Sequence, residues 1–511
     1  MEVGFFMEKT LSNDIEKNMD YINETLKDSD DLVIRYLELG DIVSVKVNLI
    51  YIDGLIDKGF LSEYAVGFLT EEEDLKLFTS EEDKYDAYNI IKDEVLATSE
   101  IQEEDNWHEI IKFILSGDTA VLVENSAQAI IIGTRGAEYR GIDEPQTEAV
   151  IRGPREGFTE VGKFNISLIR RRLRDPSLKV KMHSVGRRTQ NDVAVMYIDG
   201  IVDKKLLTEV NKRLDNIDID GVFDSSTLEH LMADNYLSPF PQAENTERPD
   251  TVAAAILEGR VAIIMDNTPF ALIVPATIGT LYQSAEDHYT EWTEASLVRL
   301  LRILCGFLVL LSTPLYIAIT AYHPGIMPTK MIYYLSAGRI NVPFPSVVEA
   351  LLMETTMEIL RESGTRISGP IGNTIGIVGG LIIGEAAVEA GIVSPLMIIV
   401  IAISTIASFA LPSYDFSATL RIMRILFIGL AAVLGLYGIM IGVILLGTHL
   451  VSLNSFGIPY TSPYTGLGIE EGDLKDTLVK APVQRLWLRP GFTFPKNKKR
   501  MGRGDKDDKG S

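Results

Sequence analysis

Hydrophobic positions fall into two patterns along this chain. Up to about residue 296 they form short alternating or wholly apolar runs broken by charge, the pattern of strands and small amphipathic helices. From about Leu297 to about Gly468 they merge into long stretches without charge: Ile303–Tyr322, Ile367–Gly384, Ala390–Tyr414 and Ile425–Thr448. A helix rises about 1.5 Å per residue, so a hydrocarbon core of about 30 Å takes about 20 residues to cross. Three of the four pass that test easily, and Ile367–Gly384 passes it marginally. Two weaker stretches are Met331–Met353, which contains Arg339 and Glu349, and Val451–Gly468, which contains Pro459 and Pro463. Each reads as a further span or as a re-entrant or interfacial segment. The expectation is a multi-pass α-helical membrane domain over 297–468. With six passes, Arg299, Arg302, Arg361, Arg366, Arg421, Arg424 and the basic tail Lys496–Arg503 all fall on the cytoplasmic side. Four passes follow hydropathy more closely, and either even number puts both termini in the cytoplasm.

The region before residue 297 contains its pattern twice. Tyr-Ile-Asp-Gly-Leu-Ile-Asp-Lys at Tyr51–Lys58 returns as Tyr-Ile-Asp-Gly-Ile-Val-Asp-Lys at Tyr197–Lys204, and Ile114–Asn125 is echoed by Ile256–Asn267. In each copy an apolar run (Val43–Ile52; Val193–Ile198) meets Asp-Gly and then a helical pattern, which predicts strand, turn and helix. A hairpin closes each copy: Thr119–Val123 with Ala129–Gly133 about Asn125, and Val261–Met265 with Ala271–Val274 about Asn267. The expected fold class is a duplicated α/β soluble N-terminal region followed by the helical membrane domain. Its parts are a helical extension (1–39), two α/β subdomains (40–150 and 187–296) joined by a basic connector (151–186), and, after the membrane domain, a cytoplasmic tail (469–511), disordered at the end. Asp53, Asp57, Asp199 and Asp203 suggest a metal or acid/base set, but their recurrence in both copies favours turns and helix starts.

A formal charge of −23 over 511 residues argues against nucleic acid as a partner. Cys305 is the only cysteine, so neither an intrachain disulfide nor a thiolate cluster is available. No secretory signal is expected at the N-terminus. The connector concentrates Arg152, Arg155, Arg170, Arg171, Arg172 and Arg174. That cluster suits anionic headgroups, an acidic partner, or bridging of the two acidic halves. The six histidines are scattered and there is no phosphate loop or nucleophile elbow. No catalytic residue, enzymatic turnover, cofactor or metal is expected.

In the membrane region, Ser368, Gly372, Gly376, Gly380 and Gly384 recur every fourth residue, a smooth stripe that lets another helix approach closely. Tight packing within the chain, an oligomer contact and a pore-lining face all remain open. Glu349, Glu354, Glu358 and Glu362 lie on one segment, the last three at helical spacing, and Glu385 and Glu389 follow the stripe. Carboxylates near membrane depth face water or a partner. For Glu349–Glu362 an interfacial helix with its acidic face in water competes with a cation route. Glu385 and Glu389 are the better candidates for lining a path.

The chain resembles the A subunits of bacterial spore germinant receptors, the GerA family, including its SpoVAF paralogue. The matching segments are Arg152–Glu160, Leu168–Arg174, Asp266–Pro275, Pro343-Phe-Pro345, the Glu358–Arg361–Glu362 region, Gly369–Pro395 and Ser455–Tyr460. The resemblance implies spore germination at the inner spore membrane, assembly with a transporter-like B subunit and a lipoprotein C subunit, a response to nutrients, and a ligand-gated path for monovalent cations. The paralogue implies an amplifier of germination ion release with its own smaller partner. The resulting expectation is a homo-oligomeric germinant-receptor subunit, in contact with membrane lipid, that forms or gates a cation channel. A secondary transporter and a non-conducting scaffold are the alternatives.

Overall fold

The computed structural model describes residues 10–40, 43–61, 81–92, 101–136, 144–366, 370–464 and 476–501. The chain forms two compact units. One comprises Met1–Ala233, Asn245–Pro275 and Leu488–Ser511, and the other Asp234–Glu244 and Ala276–Trp487.

The first unit runs α1 (Ile15–Thr25), β1 (Leu32–Leu39), β2 (Val45–Ile52), α2 (Lys58–Phe60), α3 (Glu81–Ile90), β3 (Ile101–Glu104), α4 (Trp107–Ser116), β4 (Thr119–Val123) and β5 (Ala129–Ile132). It then repeats the same order: α5 (Gly162–Arg172), β6 (Leu178–Val185), β7 (Asn191–Ile198), α6 (Lys204–Asp215), α7 (Ser225–Met232), β8 (Glu244–Thr246), α8 (Pro249–Leu257), β9 (Val261–Met265) and β10 (Ala271–Val274). Both sheets are five-stranded, in the orders β1-β2-β4-β5-β3 and β6-β7-β9-β10-β8. The α/β class and the duplication stand. Each copy is longer than its sequence motif, because α1 with β1, and α5 with β6, open the two copies. β1 and β6 are edge strands that mix polar residues (Arg35, Glu38; Lys181, His183) with apolar ones, and they share no motif that self-comparison would detect.

Local chemistry explains the common points. Gly54 and Gly200 follow their strands at φ +87° and +86°, and a Cβ on Gly54 would lie 3.2 Å from the Lys163 carbonyl. Asp57 and Asp203 then cap helices, accepting from the backbone N–H of Phe60 and Lys205. Asn125 and Asn267 turn the hairpins at φ 64° and 67°. The period-two alternation of the first sheet sends Val47, Leu49, Val121 and Ile130 to one core. It sends Ile50, Ile52, Leu122 and Ile131 to another, under α1 and α4.

The second unit contains α9 (Ile278–Leu281), α10 (Trp292–Tyr322), α11 (Thr329–Arg339), α12 (Ser346–Arg366), α13 (Pro370–Glu389), α14 (Pro395–Phe409), α15 (Tyr414–Leu434), α16 (Leu436–Ser452) and the short pair β11 (Asn454–Ser455) and β12 (Ile458–Pro459). Three segments are cut differently from their hydropathy. Met331–Met353 divides into α11 and α12, since Pro343 and Pro345 stop a helix from continuing through Asn341–Pro345. Ile425–Thr448 breaks at Gly435, whose φ of +60° suits glycine. There α16 folds back on α15, with Gly438 against the Leu430 backbone and Gly442 against Phe427. Val451–Gly468, described as far as Tyr464, continues past Ser452 as the β11–β12 turn and not as a helix.

Six helices of this unit, α10, α12, α13, α14, α15 and α16, run in alternating directions between two ends. At one end Tyr282 packs on Phe416 and Gly306, Arg361 reaches Ser408, and Ser238 meets His449. At the other, Tyr316 meets Ser394, Gly391 sits against Asn341, and Tyr322 donates to the Ala432 carbonyl. Outward faces carry apolar residues at helical spacing: Leu297, Leu300, Leu301, Leu304 and Phe307 on α10; Ile399, Ile403 and Ile406 on α14; Ile422, Ile425 and Leu426 on α15; Tyr437, Met440, Ile441 and Ile444 on α16. By length and composition α10 and α15 are each apolar enough to cross a membrane, while α14 and α16 are shorter apolar helices.

Candidate functional site

Several charges of the helical unit lie inside it. Glu354, Glu358 and Arg361 share one face of α12 through i, i+4 and i+7 spacing, and Arg421 and Arg424 share a face of α15. Arg424 Nη2 is 2.5 Å from Glu354 Oε2, and the two side chains are only 5% and 8% exposed. Thr313 of α10 donates to Glu354 at 3.2 Å, and Arg424 donates to Ser404 of α14 at 2.5 Å. Four helices therefore meet on one ion pair. One turn nearer the end that holds Tyr282, Arg361 and Arg421 converge on Glu358 at 3.1 and 3.5 Å. A paired buried charge is tolerable, whereas removing one partner leaves the other desolvated and alone, which is strongly destabilising.

Two further ion pairs fasten the ends. Glu349, fully buried, accepts from Arg339 at 2.8 Å and from the backbone N–H of Ser394 at 2.9 Å, tying α12 to α11 and to the start of α14. Before α10, buried Asp287 accepts from Arg299 at 3.0 Å and Arg302 at 2.7 Å. Arg299 also holds Asp476, and Lys480 donates to the Asp287 carbonyl. Burial alone would raise the Asp287 carboxyl, but hydrogen bonding and charge from Arg302 and Arg299 outweigh it and hold it below the usual carboxylate range.

The acidic helix read as facing water needs correction at two positions. Glu349 and Glu354 are buried, because arginines on α11 and α15 reach them, whereas the Glu358 side chain is 57% exposed and Glu362 is exposed. Of the small-residue stripe, Ser368 lies outside the described residues, and Gly372 and Gly376 belong to α13 with surroundings outside the description. Gly384 is buried with Ile398 3.7 Å from its Cβ position, while nothing lies within 4 Å of that position at Gly380. Close approach to α12 falls beside the stripe, at Gly379, where Leu360 would be 2.9 Å from an added Cβ. Glu385 and Glu389 are exposed and do not join the α12 cluster among the described contacts.

The basic connector is largely internal wiring. Arg170 is fully buried and grips Asp31, at the start of the first copy, through two hydrogen bonds of 2.8 Å, with a third donor on the Leu178 carbonyl. Arg171 and Arg172 share Glu156, and Arg155 meets Glu144 at the surface. Arg152 and Arg174 are exposed. In the sequence Arg361, Arg421 and Arg424 read as topological charges, and nothing local marks them as partners of glutamates. The available signal was two arginines three residues apart inside an apolar helix, matching glutamates four apart on another.

The family described as "Bacillus/Clostridium GerA spore germination protein" matches residues 20–492. The chain is 39% identical over 493 residues, 96% of its length and 89% of the relative's, to spore germination protein KA of Bacillus subtilis (strain 168). It is 36% identical over 503 residues, 98% of its length and 95% of the relative's, to the uncharacterized membrane protein YfkQ of the same organism. Among solved structures, the N-terminal domain of the A subunit of the Bacillus megaterium spore germinant receptor GerK3 is 30% identical. That comparison covers 53% of this chain and 99% of that one with a TM-score of 0.42.

Proposed function

The chain belongs to the GerA family of spore germination proteins, and on that premise we propose that it is the A subunit of a nutrient-responsive germinant receptor in the inner spore membrane. In this reading the six alternating helices cross the bilayer and both termini are cytoplasmic. The carrying observation is the inverted helical unit, with isoleucines and leucines outside and glutamate–arginine pairs inside. Water offers no reason to expose the first or bury the second, whereas a hydrocarbon solvent favours both. The subunit oligomerises through α13, where nothing lies within 4 Å of a Cβ built on Gly380, and Glu385 and Glu389 line a route for monovalent cations between copies. The buried interior of a single copy does not suit that route, since Arg339, Arg361, Arg421 and Arg424 would repel a cation. Transporter-like B and lipoprotein C subunits complete the receptor.

The test is potassium flux through liposomes containing the purified chain with its partner subunits. Flux is expected on addition of nutrient, and Gly380→Phe should abolish it while leaving the thermal stability of the protein unchanged. Flux that survives Gly380→Phe unaltered removes the stripe from the mechanism. Nutrient-independent silence of the intact assembly favours the scaffold.

A further inference from the structure

We propose that Arg361 and Arg421 hold the phosphate of an anionic phospholipid at the rim of the helical unit. A guanidinium carries five N–H donors, and those of Arg421 are poorly used although its side chain is only 10% exposed. Its contacts to Glu358 and Ser417 are both 3.5 Å, at the limit of a hydrogen bond, and its buried Nε has no acceptor. Arg361 draws on the same Glu358 carboxylate and on the Ser408 hydroxyl. With Arg424 taken by Glu354, two guanidiniums share one carboxylate among the described ion pairs, which leaves one positive charge in excess there. In a medium without water such a charge is costly and attracts a counter-anion.

The surroundings indicate which anion. Glu358 is 57% exposed, so the cluster opens outward there. The Arg361 guanidinium stands 5.5 Å from the ring centre of Phe409, and that of Arg421 stands 5.8 Å from Tyr414. These rings are 73% and 62% exposed. Phe409 ends α14 and Tyr414 begins α15, so both lie where aromatic residues meet the headgroup layer, and exposed Ile406 and Ile422 continue the surface along the helices. A phosphodiester presents two oxygens and one negative charge, which matches two guanidiniums and one excess positive charge. The apolar rim favours a source carrying acyl chains over a free oxyanion.

The inference rests on the reading of these helices as membrane-spanning. The experiment reconstitutes the full chain in phosphatidylcholine nanodiscs containing a minor fraction of phosphatidylglycerol and measures co-retained lipid by native mass spectrometry. About tenfold enrichment of phosphatidylglycerol is expected, the ratio that one good charge-assisted contact supplies. Arg421→Gln should remove the enrichment, and Glu358→Gln, which deletes the competing carboxylate, should increase it; the second variant separates lipid binding from misfolding. No enrichment in the native chain, enrichment unchanged by Arg421→Gln, or displacement of the lipid by inorganic phosphate would each overturn the assignment. A chain that does not enter nanodiscs fails the membrane reading instead, and is recognised by its absence from the disc fraction.

Discussion

Arg170 and Arg424 are both buried arginines paired with a carboxylate, yet they sit in opposite surroundings. Arg170 makes a two-pronged contact to Asp31 with a carbonyl on its third donor, and the unit around it shows charges on its outside, such as Lys58, Lys163 and Arg155. Arg424 holds Glu354 and Ser404, its Nε has no partner, and the unit around it shows leucine and isoleucine on its outside. In the α/β unit Arg170–Asp31 joins the two copies, and a second buried pair, Arg248–Asp250, lies in the same unit, under a surface that carries charge. In the helical unit three glutamates, Glu349, Glu354 and Glu358, each meet an arginine of the same unit, under a surface rich in leucine and isoleucine.

The contrast can be broken first at Glu354. Glu354→Leu strands Arg424 among helices and should cost about 3–5 kcal/mol. Pairing it with Arg424→Met should restore most of that loss, as a double-mutant cycle of thermal unfolding in nanodiscs would record. Arg170→Met leaves Asp31, whose side chain is 8% exposed, without its partner and should cost about 3 kcal/mol. Its mark would be faster hydrogen exchange in β1 and β6, with the helical unit unaffected.

A smaller effect is expected from acid. The Asp287 carboxyl lies below its unfolded value of about 3.9, so it contributes stability above that pH and loses it as pH falls through the lower folded value. Hydrogen exchange of residues 285–302 between pH 7 and pH 3 should show protection constant down to about 4 and declining below. Loss of protection already near neutrality would separate this cluster from Asp287. Smallest of all, Asp203→Ala removes a cap from a solvent-facing helix and should cost about 1 kcal/mol in chemical denaturation.

Much of the α/β unit was legible because its signals are local. Both hairpins, the Asp-Gly turns and the capping aspartates follow from a few neighbouring residues, and their repetition reinforced each. The helix Ile15–Thr25 falls within the expected helical extension, but the opening strands of both copies and the helix within the connector do not show in the sequence, since an edge strand needs no shared motif. In the candidate site the glutamate spacing on α12 was visible, but not what it faces. Arg421 and Glu358 are 63 residues apart in the chain, and only the packing of α15 against its neighbours brings them within reach.

The duplicated α/β class, the family and the presence of an apolar helical region are written in the amino-acid order, because each depends on composition, periodicity or residues close in the chain. Tertiary structure decided where one apolar stretch becomes two helices at Gly435, which carboxylates are buried, and which arginines neutralise them. Those outcomes depend on backbone conformation and on contacts between helices distant in sequence, where a charge that hydropathy counts as a boundary marker proves to be half of an interior pair.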